Sequence, residues 1–109
     1  MIVKVEVENN NYAEGVLEDA LLKYKESIIE HPGIGYIEHN TAPPFVIKDI
    51  GVHNSEVLAD IAFISEDTIN TIKEIISENT PPRYELRGFG MMKDDIFTSF
   101  KITSINLIP

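Results

Sequence analysis

The chain has no cysteine, and its 109 residues carry only nine basic side chains against eighteen acidic ones. The first absence excludes a disulfide framework and a thiol nucleophile, and it suits a reducing compartment. The second leaves a net charge of -9, a surface that repels phosphate backbones, so no nucleic-acid partner is expected. The acidic residues are scattered rather than blocked, as on an ordinary solvated surface. No apolar run approaches the roughly 18 residues that a membrane helix needs. No basic-then-apolar leader opens the sequence, so a chain that is neither membrane-bound nor secreted is expected. A phosphate-binding loop is missing too: Gly88-Phe89-Gly90 lacks the following helix and the Lys-Ser/Thr that would hold a nucleotide. No cofactor is expected.

What is present suffices for one compact domain over residues 1–109, since 43% of the residues are hydrophobic. Ile2 to Glu8 alternates, with Val3, Val5 and Val7 on one side and Lys4, Glu6 and Glu8 on the other, which is the pattern of a half-buried strand. Asn9-Asn10-Asn11 breaks it and offers a helix cap. From Tyr12 to about Ile29 the apolar residues Leu17, Leu21, Tyr24 and Ile28 recur at helical spacing, widened by Val16 and Ala20. His31-Pro32-Gly33-Ile34-Gly35 stops that helix. A short extended piece follows from Gly35 to Asn40, closed by Thr41-Ala42-Pro43-Pro44.

Phe45 to Val52 and Val57 to Phe63 read as an antiparallel hairpin around His53-Asn54-Ser55. Ser65-Glu66-Asp67 opens a second helix whose apolar face is Ile69, Ile72, Ile75 and Ile76, ended by Asn79-Thr80-Pro81-Pro82. Arg83 to Met92 and Asp95 to Ile108 read as two strands around Lys93-Asp94. Gly88 and Gly90 must break the first of these two strands, as a bulge beside a site or as the corner of a small barrel. The expected class is α+β: a mixed, mostly antiparallel sheet of about five to six strands, able to curl into a small barrel, with two packed helices.

Few residues suggest chemistry on their own. His31, His39 and His53 fall in or beside turns at no metal-ligand spacing, so no metal site is expected. Glu38 and His39 are neighbours in an extended segment and point to opposite faces, but His39 can serve as a general base if the fold brings a nucleophile to it. The acidic pairs Glu18-Asp19, Glu66-Asp67 and Asp94-Asp95 have ordinary capping or solubility roles.

The order of elements resembles the prohead (head-maturation) protease family of tailed phages, whose fold is allied to herpesvirus assemblin. Val5-Glu6-Val7-Glu8-Asn9-Asn10-Asn11-Tyr12, then Val16-Leu17 and Ala20, is similar to that family's first strand, Asn-rich turn, tyrosine and helix. Gly35-Tyr36-Ile37-Glu38-His39-Asn40 resembles its Gly-Glu-Leu-x-His-Pro segment, with Asn40 in place of the proline. The resemblance implies that His39 stands at the position of the catalytic base. Tyr84-Glu85-Leu86-Arg87-Gly88-Phe89-Gly90 resembles Val-Ser-Ser-Arg-Gly-x-Gly, and Ile105-Asn106-Leu107-Ile108 resembles the closing Ile-Asp-Ile-Val strand.

This puts the family's serine nucleophile at Glu85 or Leu86, neither of which can attack an acyl carbon as a serine does. Arg87, Gly88 and Gly90 keep the frame. Ser99 and Ser104 lie on the last strand without aligning to the missing group. The resemblance therefore implies a non-catalytic phage protein, in the host cytoplasm or the virion. It would bind another protein or a second copy of itself in virion assembly or as an accessory factor, with the edges of the first and last strands as pairing surfaces. Two alternatives stand beside it: an active serine-type hydrolase with an unrecognised nucleophile, and an acidic anti-defence decoy.

Overall fold

In a computed structural model, residues 1–7, 11–39, 44–77 and 82–109 are described. Expectations placed on Glu8, Asn9 and Asn10, on Asn40, Thr41, Ala42 and Pro43, and on Glu78, Asn79, Thr80 and Pro81 lie outside these residues, as does the side chain of Ile76. Eleven elements follow in the order β1 (Ile2–Glu6), β2 (Asn11–Tyr12), α1 (Val16–Glu30), β3 (Gly33–Ile37), β4 (Phe45–His53), β5 (Glu56–Ala62), α2 (Glu66–Ser77), β6 (Arg83–Phe89), β7 (Met92–Lys93), β8 (Ile96–Phe97) and β9 (Lys101–Ile108). Six strands close a barrel in the order β1-β5-β4-β3-β9-β6, and a three-stranded sheet β2-β8-β7 stands beside it. The class is α+β. Pairings are antiparallel in the barrel except β3 with β9 and β1 with β6, the latter closing it.

Closure follows from alternation. Val3 and Val5 of β1, Val57, Ala59 and Ile61 of β5, Tyr84 and Leu86 of β6, and Ile105 and Leu107 of β9 are all buried. Each strand turns one apolar row inward, and the rows meet around the fully buried Phe45, whose ring makes edge contacts with Phe63 at 5.5 Å and Tyr84 at 6.3 Å. Two bulges keep the rows inward. In β4 the register shifts between Ile47 and Asp49, so Lys48 and Asp49 both face outward and Ile50 returns to the core. The Asp49 carboxylate accepts the Ile50 N–H at 2.9 Å. In β9 the shift leaves Thr103 as the extra residue, with its hydroxyl donating to the Arg87 carbonyl at 3.2 Å.

The register shift at Arg87 and Gly88 is the break expected there, in a closed barrel, and the glycines serve it through space rather than backbone angle. Neither Gly88 nor Gly90 has positive φ. A Cβ at Gly88 would strike the Lys101 carbonyl and the Phe100 ring, and one at Gly90 would strike the Ser99 carbonyl. Close approach of the two chains, not backbone freedom, requires glycine there.

Other expectations are corrected. Asn11 and Tyr12 form a strand rather than a helix start, because Tyr12 stacks on Phe97 at 5.3 Å and meets Phe100 edge-on. Helix α1 begins after Gly15, whose φ of 79° suits the turn into it. Its buried face is Ala20, Leu21, Tyr24 and Ile28, packed over β4 and β9. In α2 the Ser65 hydroxyl accepts the Asp67 N–H as a cap should, but Thr68 is buried and Ile69 is partly exposed. The strand expected from Arg83 to Met92 ends at Phe89, and the turn falls at Asp94-Asp95. Both aspartates have positive φ, as do Asn54 and Ser55 between β4 and β5, the condition for tight two-residue hairpins. Finally, β1 and β9 each pair on both sides, so barrel closure removes the edges expected there.

The Tyr24 hydroxyl is buried against Gly33 and has no hydrogen-bond partner among the described residues. Burial pushes its pKa up to about 12 from 10.0. An unpaired buried hydroxyl costs about 1–3 kcal/mol, so Tyr24→Phe should raise the melting temperature by several degrees in a calorimetric scan. A fall would mean that the hydroxyl does find a partner. The neutral phenol is the favoured folded form, so the contribution of Tyr24 to stability is present below pH 10 and lost as pH rises toward 12.

Candidate functional site

The outer face of β3, β9 and β6 gathers the polar residues of three separated segments. Register places Arg87 opposite Ser104 and Glu85 opposite Asn106, while Tyr36 of β3 lies beside Asn106 on its other side. The β9 bulge makes this possible: in strict alternation from Ile102 through Thr103, the side chains of Ser104 and Asn106 would turn inward.

Arg87 is the hub. Its Nε and Nη2 donate to Glu38 Oε1 at 3.0 and 2.6 Å, and its Nη1 donates to Glu85 Oε2 at 2.7 Å. Asn106 Nδ2 donates to the same Glu38 oxygen at 3.2 Å, and Ser104 Oγ donates to Asn106 Oδ1 at 2.9 Å. A longer chain of charge continues through Arg83, 3.7 Å from Glu85 and from Glu6 of β1. Glu38, Glu85 and Arg87 are 18–28% exposed, dry enough for these charge-assisted bonds to hold their geometry. Hydrogen bonding from Arg87, aided by Asn106, holds the Glu38 carboxyl below the usual carboxylate range. Its bonds to Glu38, then to Glu85, raise the Arg87 pKa further.

The residues singled out in the sequence separate here. Of the two positions for the family's nucleophile, Leu86 faces into the core at 4% exposure, and Glu85 faces outward into the cluster. Arg87 joins Glu85 to Glu38. His39 follows Glu38 in a turn rather than an extended strand, with φ of 56°, and is exposed. Gly88 and Gly90 contribute no side chain and lie against the β9 segment. Sequence reasoning gave Asn106 and Glu38 no role of their own. The available signal was polar residues at outward positions of three strands, but it becomes a cluster only once the strand order is known. Among the described residues, no group of three metal-ligating side chains converges.

Chemically, the cluster is a closed set of donors and acceptors. Both carboxylates share the Arg87 guanidinium, and the Ser104 hydroxyl donates to an amide oxygen, which does not accept its proton outright. No family model matches the chain, and no curated protein matches its sequence. In structure it is similar to the bacteriophage T4 capsid assembly protease, with a TM-score of 0.74 and 19% identity over 98% of this chain and 77% of that one. At this identity the likeness speaks to architecture, and what it establishes is a prohead-protease-like fold.

Proposed function

We propose that this chain is a non-catalytic phage protein of prohead-protease-like fold that acts by protein–protein binding during virion assembly. The observation that carries the reading is the side chain at the outer position of β6. There Glu85 is held by Arg87 at 2.7 Å, with Glu38 and Asn106 closing the rest of the cluster. A site that turns over acyl groups needs a nucleophile beside a base that can take its proton. In this chain the corresponding surface is occupied by two carboxylates tied to one guanidinium. Arg87, Gly88 and Gly90 keep a rigid frame without a reacting group, and His39 is a vestige of the base position.

The test is labelling with a fluorophosphonate probe, together with incubation of the chain alone and with basic and acidic scaffold-type peptides. No labelling and no cleavage is the expected result for the wild type and for His39→Ala. Labelling that disappears in Ser104→Ala or Ser99→Ala, or self-cleavage that requires His39, would overturn the proposal.

A further inference from the structure

With β1 and β9 paired on both sides, the free strand edges among the described residues are those of the small sheet, β2 and β7. The β7 edge is bordered by large exposed apolar side chains: Phe89 at 61%, Met91 at 72%, Met92 at 52% and Ile96 at 39%. Pairing and alternation put Met92 on the face of Phe97, and Met91 with Ile96 on the opposite face, so exposed apolar side chains flank this edge on both faces. We propose that β7 pairs antiparallel with β7 of a second copy of this chain across a two-fold axis at Met92, joining the two small sheets into one of six strands.

The backbone geometry supports this register. Lys93 and Ile96 flank the two-residue turn and form the hydrogen-bonded pair of a tight hairpin. The N–H and C=O of Met92 therefore turn away from β8, toward the free edge. Two copies meeting at Met92 exchange both bonds. In this register Met91 falls opposite Lys93 of the second copy, so no like charges face one another near the axis. The Met92 side chains meet on the face that carries Phe97 and Tyr12, whose stacked rings continue the apolar surface. On the opposite face Met91 of each copy packs beside Lys93 of the other, so the joined sheet covers apolar surface on both faces. A contact through two-residue strands is small, so association is expected to be weak and to show only at high protein concentration.

The proposal rests on the binding reading above and gives it a surface and a partner. Sedimentation velocity over a concentration series reaching about 1 mM should show the wild type passing from monomer to dimer. Met92→Glu and Met92→Lys each place like charges opposite one another on the axis, so each alone should weaken association at least tenfold. An equal mixture of the two should restore it. Met92→Pro, which removes the outward N–H and fixes φ at that residue, should also abolish it. Melting curves report whether each variant remains folded. A wild type that stays monomeric throughout overturns the proposal and leaves the patch to a different protein. Variants that dimerise like the wild type overturn it as well. Neither result bears on fluorophosphonate labelling, so failure here is distinct from failure of the non-catalytic reading.

Discussion

Replacing Gly35 with alanine should remove a large share of the stability of the fold. A Cβ at this position would overlap the Phe45 ring and lie 2.6 Å from the Ile105 carbonyl. Neither neighbour can give way. Phe45 is fully buried and pinned by Phe63 and Tyr84, and the Ile105 carbonyl belongs to the β9 ladder paired with β3. Overpacking of this kind costs about 3 kcal/mol where no rotamer relieves it, a large share of the stability of a small domain. In denaturant titrations the midpoint of Gly35→Ala should fall sharply. A companion Gly35→Ala/Phe45→Leu variant, which removes the ring in the way, should recover part of the loss. If Gly35→Ala melts like the wild type, the tight approach of β3 to Phe45 is wrong.

The second large effect belongs to Arg87. Arg87→Met keeps the stem and removes the guanidinium, leaving Glu38 and Glu85 facing one another without their common cation. Breaking one side of a fully buried pair costs 3–5 kcal/mol, and the partial exposure here reduces that to about 2 kcal/mol. The double replacement Glu38→Gln/Arg87→Met should cost less than the two single changes added together, because the stranded charge is removed with its partner. The pH dependence carries the same signature. Because Arg87 holds the folded Glu38 carboxyl below its ordinary value of 4.5, the contribution of Glu38 is fully present above that pH. It is lost as pH falls through the lower folded value. Stability measured between neutral and acidic pH should fall less steeply in Arg87→Met than in the wild type. Identical slopes would show that the ion pair does not bear on folding.

Much of the fold was legible because it depends on short-range periodicity. The alternation of Val3 and Val5 marks a strand without knowledge of what lies beside it, as does that of Val57, Ala59 and Ile61. The helical spacing of Leu21, Tyr24 and Ile28 gave α1 its buried face. Asn11 and Tyr12 were misread, because the aromatic contacts that hold them come from Phe97 and Phe100, far along the chain. The bulge in β4 was invisible as well: Ile47 and Ile50 look like a lapse of alternation until the barrel shows both facing its interior.

The candidate site divides in the same way. Arg87 stood out from its own segment, and Leu86 was distinguishable from Glu85 only once one of them turned inward. The bond from Arg87 to Glu38 spans 49 residues and that from Asn106 to Glu38 spans 68, so no local pattern could encode either. By itself the sequence determined an acidic composition, the identity of the helices and most strands, and which residues are apolar enough to be buried. Those properties follow from side-chain chemistry and the fixed periods of helix and strand. The tertiary structure alone decided that the strands close into a barrel, that a bulge turns Ser104 and Asn106 outward, and that the remaining edges lie at the β2-β8-β7 sheet. Each of these depends on which strand lies beside which, and strand order is set by long-range packing rather than by local spacing.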